Sequence, residues 1–109
     1  MITEKADLHS KRFIAMCKAH KVDKLYVFGS AVKGNFTDES DLDVLVEINE
    51  HDPLNRGELL LSLWNALEAY CNRKVDLLTY NSIRNPYLMK SIDDTKKLIY
   101  DGSKEEVLR

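Results

Sequence analysis

Apolar residues fall into short blocks separated by polar turns, and the spacing inside each block predicts an element. From about Glu4 to His20, Ala6, Phe13, Ile14 and Cys17 recur on one stripe while Lys5, Lys11 and Lys18 lie mostly outside it, the pattern of a packing helix. Leu25-Tyr26-Val27-Phe28 is a continuous apolar run ending at Gly29, as expected of a strand buried on both faces. Ala31 to Lys33 fits a short helix, stopped by Gly34, Asn35 and the polar run Thr37-Asp38-Glu39-Ser40 before a second strand, Leu42 to Ile48.

His51-Asp52-Pro53 offers a capping aspartate and a first-turn proline, and Leu60, Trp64, Leu67 and Cys71 follow at helical spacing as a core stripe. Asn72-Arg73-Lys74 ends that helix. Val75 to Thr79 reads as a third strand, Asn85-Pro86 opens a last helix through Leu88, Met89 and Ile92, and Lys97 to Tyr100 supplies a short terminal strand. With no repeat, low-complexity segment or internal linker, residues 1–109 read as one α/β (α+β) domain: a small mixed sheet with helices packed largely on one face.

Composition narrows the function classes. A hydrophobic share of 44% and a charged share of 31% suit an ordinary globule, and the absence of a signal peptide or a membrane-length apolar run sets a cytoplasmic expectation. A net charge of −2 argues against a broad nucleic-acid-binding face and favours a protein or small-molecule partner. Cys17 and Cys71 lack metal-ligand spacing and read as reduced core thiols, while His9, His20 and His51 are scattered and read as surface residues. Arg56, Arg73, Lys74 and Arg84 are basic residues of the kind helix ends carry, with no particular role assigned.

The chemistry concentrates between Gly29 and Asp43. Side chains alternate along a strand, so Asp41 and Asp43 point the same way, and two carboxylates side by side call for a divalent cation. Gly29 and Ser30 stand where free N–H groups at a helix start favour an anion. Asn35-Phe36 occupies the place where a P-loop needs Lys and then Ser or Thr, and Leu45 and Val46 fall where a calcium loop needs a ligand and a glycine, so both of those motifs are excluded.

The remaining pattern, G-S-x3-G-x5-S-D-x-D leading an apolar strand, resembles the minimal nucleotidyltransferases of the DNA polymerase β superfamily across nearly the whole chain. The resemblance implies that Gly29 and Ser30 hold a triphosphate, with Lys33 adding positive charge; Ala31 stands where family members frequently carry a second basic residue. It implies that Asp41, Asp43 and a third carboxylate, Asp76, are the catalytic residues and ligands of two Mg²⁺ ions held about 3.5–4 Å apart. The expected activity is transfer of AMP from ATP to a hydroxyl, with release of pyrophosphate. Short bacterial members are commonly paired with a helical RNA-binding or ribonuclease-like protein, which some adenylylate as antitoxins, so a tyrosine of such a partner is the expected acceptor. The competing expectations are a nucleotide-binding module that caps its partner without chemistry, and transfer to a small hydroxylated molecule at a pocket completed by a second subunit.

Overall fold

The structure, a computed structural model, describes residues 11–29, 40–102 and 106–107. Among them, α1 (Lys11–Ala19) leads into β1 (Val22–Phe28), β2 (Leu42–Ile48), α2 (Pro53–Cys71), β3 (Val75–Leu78), a 3₁₀ turn (Tyr80–Ser82), α3 (Pro86–Thr95), β4 (Lys97–Asp101) and β5 (Glu106–Val107). The predicted short helix at Ala31 to Lys33, and the part of the first helix before Lys11, lie outside the described residues. The strands form one mixed sheet in the order β3-β2-β1-β4-β5. Only β2 and β3 run parallel, joined by α2 as a βαβ crossover, and the other neighbours are antiparallel.

Alternation along the strands divides the core between the two faces of the sheet. Leu25 and Val27 of β1, with Leu42, Val44 and Val46 of β2, pack with Phe13 and Cys17 of α1 and Leu63, Leu67 and Cys71 of α2. Phe28 and Leu45 point the other way and meet Ile92 of α3, bordered by Tyr26, Leu78, Tyr80 and Ile83. Two helices therefore share one face, as expected, and α3 covers part of the second.

α2 starts and stops where local chemistry dictates. Asp52 accepts from Asn55 N at 3.1 Å, Pro53 occupies the first turn, and Asn72 turns out of the helix at φ 52°. Its buried face departs from the predicted stripe: Leu63 is fully buried, whereas Trp64 is 39% exposed and Leu60 only borders the core. Leucines at 59, 60, 61 and 63 make the helix apolar almost all round, so spacing alone leaves its buried phase ambiguous. Trp64 instead ties α2 to β3. Its indole N–H donates to Val75 O at 2.7 Å, while Glu68 Oε2 accepts from Val75 N at 2.9 Å. These bonds occupy both backbone groups that Val75 presents away from β2, on the outer edge of the sheet.

β1 begins three residues earlier than its apolar run because Asp23 and Lys24 continue the strand half-exposed, across a register shift between Val22 and Lys24. His20 also departs from the surface reading. It is half-buried, its Nδ1 donating to Met16 O at 2.8 Å and its Nε2 hydrogen-bonded with Ser62 Oγ at 2.9 Å, which fastens the end of α1 to α2.

Candidate active site

The parallel pairing of β2 with β3 sets Asp43 directly beside Asp76, with Leu42 beside Val75 and Val44 beside Leu77. Registered neighbours point to the same face, here the one carrying Leu45 and Phe28, and Asp41 lies two residues before Asp43, one residue outside β2. Asp41 and Asp76 are exposed and Asp43 is half-buried. Burial pushes the Asp43 carboxyl above the ordinary carboxylate range, and the negative charges of Asp76 and then Asp41 push it further the same way. The three carboxylates thus share one field.

Gly29 closes the site from β1. Phe28 is registered opposite Asp43, and the chain leaves the strand through Gly29 at φ +71°, a conformation that side-chain-bearing residues seldom adopt. A Cβ on Gly29 would overlap Asp43 Oδ2 and lie 3.2 Å from its Cγ. The missing side chain is what allows the Gly29 backbone to lie against the Asp43 carboxylate. Ser30 and Lys33, the other residues expected to hold the nucleotide, lie outside the described residues.

Among the described residues no three acidic, imidazole or thiol groups already converge as a cation cage. The donor set nevertheless fits a hard divalent cation: Asp43 and Asp76 are neighbours in register, and the charges of Asp76 and Asp41 both act on Asp43 in a repulsion that a cation relieves. A cavity of about 530 Å³ lies elsewhere, at the far end of β2, between Val46 to Ile48, Arg56 of α2 and the 3₁₀ turn. It shares no residue with the carboxylate site.

Two groupings have no counterpart in the sequence pattern. Lys96 Nζ sits 4.6 Å from the Tyr26 ring centroid and 5.0 Å from that of Tyr80, donates to Tyr80 Oη, and pairs with Asp93 at 3.0 Å. Tyr26 in turn donates to Glu47 Oε2 at 3.4 Å. Arg73 Nη1 donates to Ser40 O at 3.0 Å across 33 residues of sequence. Apart from the Lys96–Asp93 pair, these contacts join residues too far apart in the chain for any local pattern to reveal.

Residues 11–105 match the family described as "Polymerase beta, Nucleotidyltransferase". The chain belongs to that family and is a nucleotidyltransferase. Among its relatives is "Putative protein adenylyltransferase MJ1379" of Methanocaldococcus jannaschii, 43% identical over 81 residues that span 74% of this chain and 78% of that one. A solved structure described as a "putative minimal nucleotidyltransferase" superposes with a TM-score of 0.58 at 26% identity, covering 87% of this nucleotidyltransferase and 98% of the other chain. A second, "Crystal structure of the toxin-antitoxin with AMP-PNP", gives a TM-score of 0.57 at 24% identity over 86% of this chain and 75% of that one, a likeness of fold. No helix among the described residues is long and apolar enough to cross a membrane.

Proposed function

We propose that this nucleotidyltransferase moves AMP from ATP onto a hydroxyl of a partner protein, a tyrosine on a helical RNA-binding or ribonuclease-like chain, as the antitoxin member of a toxin–antitoxin pair. The observation that carries this reading is Asp43 in register beside Asp76, with the charge of Asp41 acting on Asp43 and the side-chain-free Gly29 against its carboxylate. The protein acceptor draws support from the relative named as a protein adenylyltransferase, and ATP and the toxin partner from the neighbour whose name includes both AMP-PNP and a toxin–antitoxin.

Asp41, Asp43 and Asp76 would hold two Mg²⁺ ions, which when bound lower the pKa of the attacking hydroxyl and offset the charge of the leaving pyrophosphate. Gly29, Ser30 and Lys33 receive the triphosphate, the first by leaving its backbone open and the others by donating to phosphate oxygens. The acceptor oxygen forms a bond to the α-phosphorus as the bond from that phosphorus to the pyrophosphate oxygen breaks. In this reading Asp76, which is exposed on the edge strand, takes the hydroxyl proton and passes it to solvent.

The test is the intact mass of the protein encoded beside this one, purified and incubated with this chain. A gain of one or more adenylyl groups only when ATP and Mg²⁺ are both present is the expected result. Inhibition of the partner without any mass change would replace the proposal with capping, and labelling of a small hydroxylated compound alone would move the acceptor to that class.

A further inference from the structure

Asp41 is the least constrained of the three carboxylates, because it lies one residue outside β2 and the strand ladder does not reach it. Its neighbours, however, are held on both sides. The Ser40 carbonyl accepts from Arg73 Nη1 at 3.0 Å, and Leu42 N donates to the Lys74 carbonyl at 3.0 Å. Both partners belong to the turn that follows the α2 cap at Asn72 and delivers Asp76 two residues after Lys74.

Building on the transfer reading above, we infer that Arg73 is a positioning residue for the reaction: its guanidinium fixes the Asp41 end of β2 against the strand that carries Asp76. The turn is a firm anchor for this purpose. Cys71 just before it is fully buried, and Val75 just after it is tied to α2 through Trp64 and Glu68. Arg73 is half-buried, so its stem is confined and its planar donor fork is presented in a defined direction. Holding the carbonyl one residue before Asp41 restricts the backbone from which that side chain leaves, and support of a ligand's orientation of this kind tunes metal binding. The connection spans 33 residues, so it joins two elements and does not merely close a local turn.

An ordinary helix-end arginine would affect stability or general charge, whereas a positioning residue acts through Asp41. The experiment therefore measures Mn²⁺ binding by electron paramagnetic resonance, in complex with α,β-methylene ATP, which cannot be cleaved at the transferred bond. Wild type, Arg73→Met, Arg73→Lys, Asp41→Asn and the Asp41→Asn/Arg73→Met double variant are compared, with a melting temperature for each. Arg73→Met is expected to weaken Mn²⁺ by about tenfold, the range seen when outer-shell support of a metal ligand is removed. With Asp41 already replaced by Asn, the same change is expected to cost less than about twofold, because the two residues act as one unit. Arg73→Lys, which keeps the charge but not the fork, falls between wild type and Arg73→Met, and with an Asp41→Asn/Arg73→Lys double variant it supplies the same comparison if the methionine variant does not fold.

An equal loss with and without Asp41 would overturn the inference, as would unchanged Mn²⁺ affinity. A loss confined to the affinity of the ATP analogue at saturating Mn²⁺ would also overturn it, by making Arg73 a direct phosphate contact. Wild type that adenylylates its partner while Arg73 and Asp41 behave additively would sink this inference and leave the proposed function standing. Wild type that binds no Mn²⁺ would sink both.

Discussion

Gly29 at φ +71° can be replaced only at two costs. An alanine would carry about 1–2 kcal/mol of backbone strain, and its Cβ would overlap Asp43 Oδ2. The carboxylate can rotate away, so Gly29→Ala is expected to fold, with chemical denaturation showing a stability loss of about 1–2 kcal/mol. Transfer should fall further, by at least about tenfold, because displacement of a positioned group is felt in the rate. Equal small losses in both would mean that Asp43 need not lie where it does. Asp43 supplies the complementary prediction. Its raised carboxyl pKa means that the folded metal-free state holds a proton more tightly than the unfolded chain does. The associated stability is complete below the ordinary carboxylate range and is lost as pH rises through the raised value. At neutral pH, Asp43→Asn in the metal-free protein should therefore be as stable as wild type or more so, by no more than about 1 kcal/mol after solvent screening. That advantage should vanish on acidification. A urea titration at pH 7 and at pH 3 checks this, and unfolding of Asp43→Asn at neutral pH would make Asp43 a structural acceptor.

At the scale of elements, α3 is held to the sheet by a small buried surface centred on Ile92 and by Lys96, just past its end. Burial acts to lower the Lys96 pKa, but the hydrogen bonds to Tyr80 and Asp93 outweigh it and leave the ammonium above the ordinary lysine range. Lys96→Ala removes the cation from both rings and is expected to cost about 1–2 kcal/mol, seen as a fall of roughly 4–8 °C in melting temperature. A shift within error would show that Ile92 alone fixes α3. β2 is legible to the residue, because Leu42 to Ile48 is an apolar run bounded by polar turns. The start of β1 is not, since Asp23 and Lys24 lie outside the apolar run and continue the strand at its half-exposed margin. The phase of α2 is lost where four leucines in five positions erase the period, and Trp64, which its spacing assigns to the core, serves the β3 edge through its indole.

Over the whole molecule, the spacing of the Gly-Ser pair and the D-x-D strand makes the family legible, and the two-plus-one distribution of the helices among the described residues follows from which strand residues are apolar on each face. Asp76 shows the limit. Its strand is readable, but its place beside Asp43 depends on a parallel crossover through α2 that no local pattern encodes. The Lys96 and Arg73 contacts depend on the same long-range closure. The two thiols, expected to be inert core residues, are buried. Burial pushes Cys17 up to about 12 and Cys71 up to about 11, with Arg73 opposing the latter. Both contribute stability that is complete below the ordinary thiol range and lost as pH rises toward those values. Urea stability should accordingly hold from neutral pH to the ordinary thiol range and decline above it, with a shallower decline in Cys17→Val. An unchanged decline would assign it to other groups.

The central claim, that Asp41, Asp43 and Asp76 form a transfer site in which Asp76 serves the chemical step more than nucleotide loading, is tested most directly by Asp76→Asn. Mg²⁺–ATP affinity is measured by calorimetry beside incorporation of labelled AMP into the partner. The variant should keep most of its nucleotide affinity while transfer falls by at least about a hundredfold, roughly 2.7 kcal/mol of transition-state stabilisation. Labelling at the wild-type rate in Asp76→Asn would contradict the assignment.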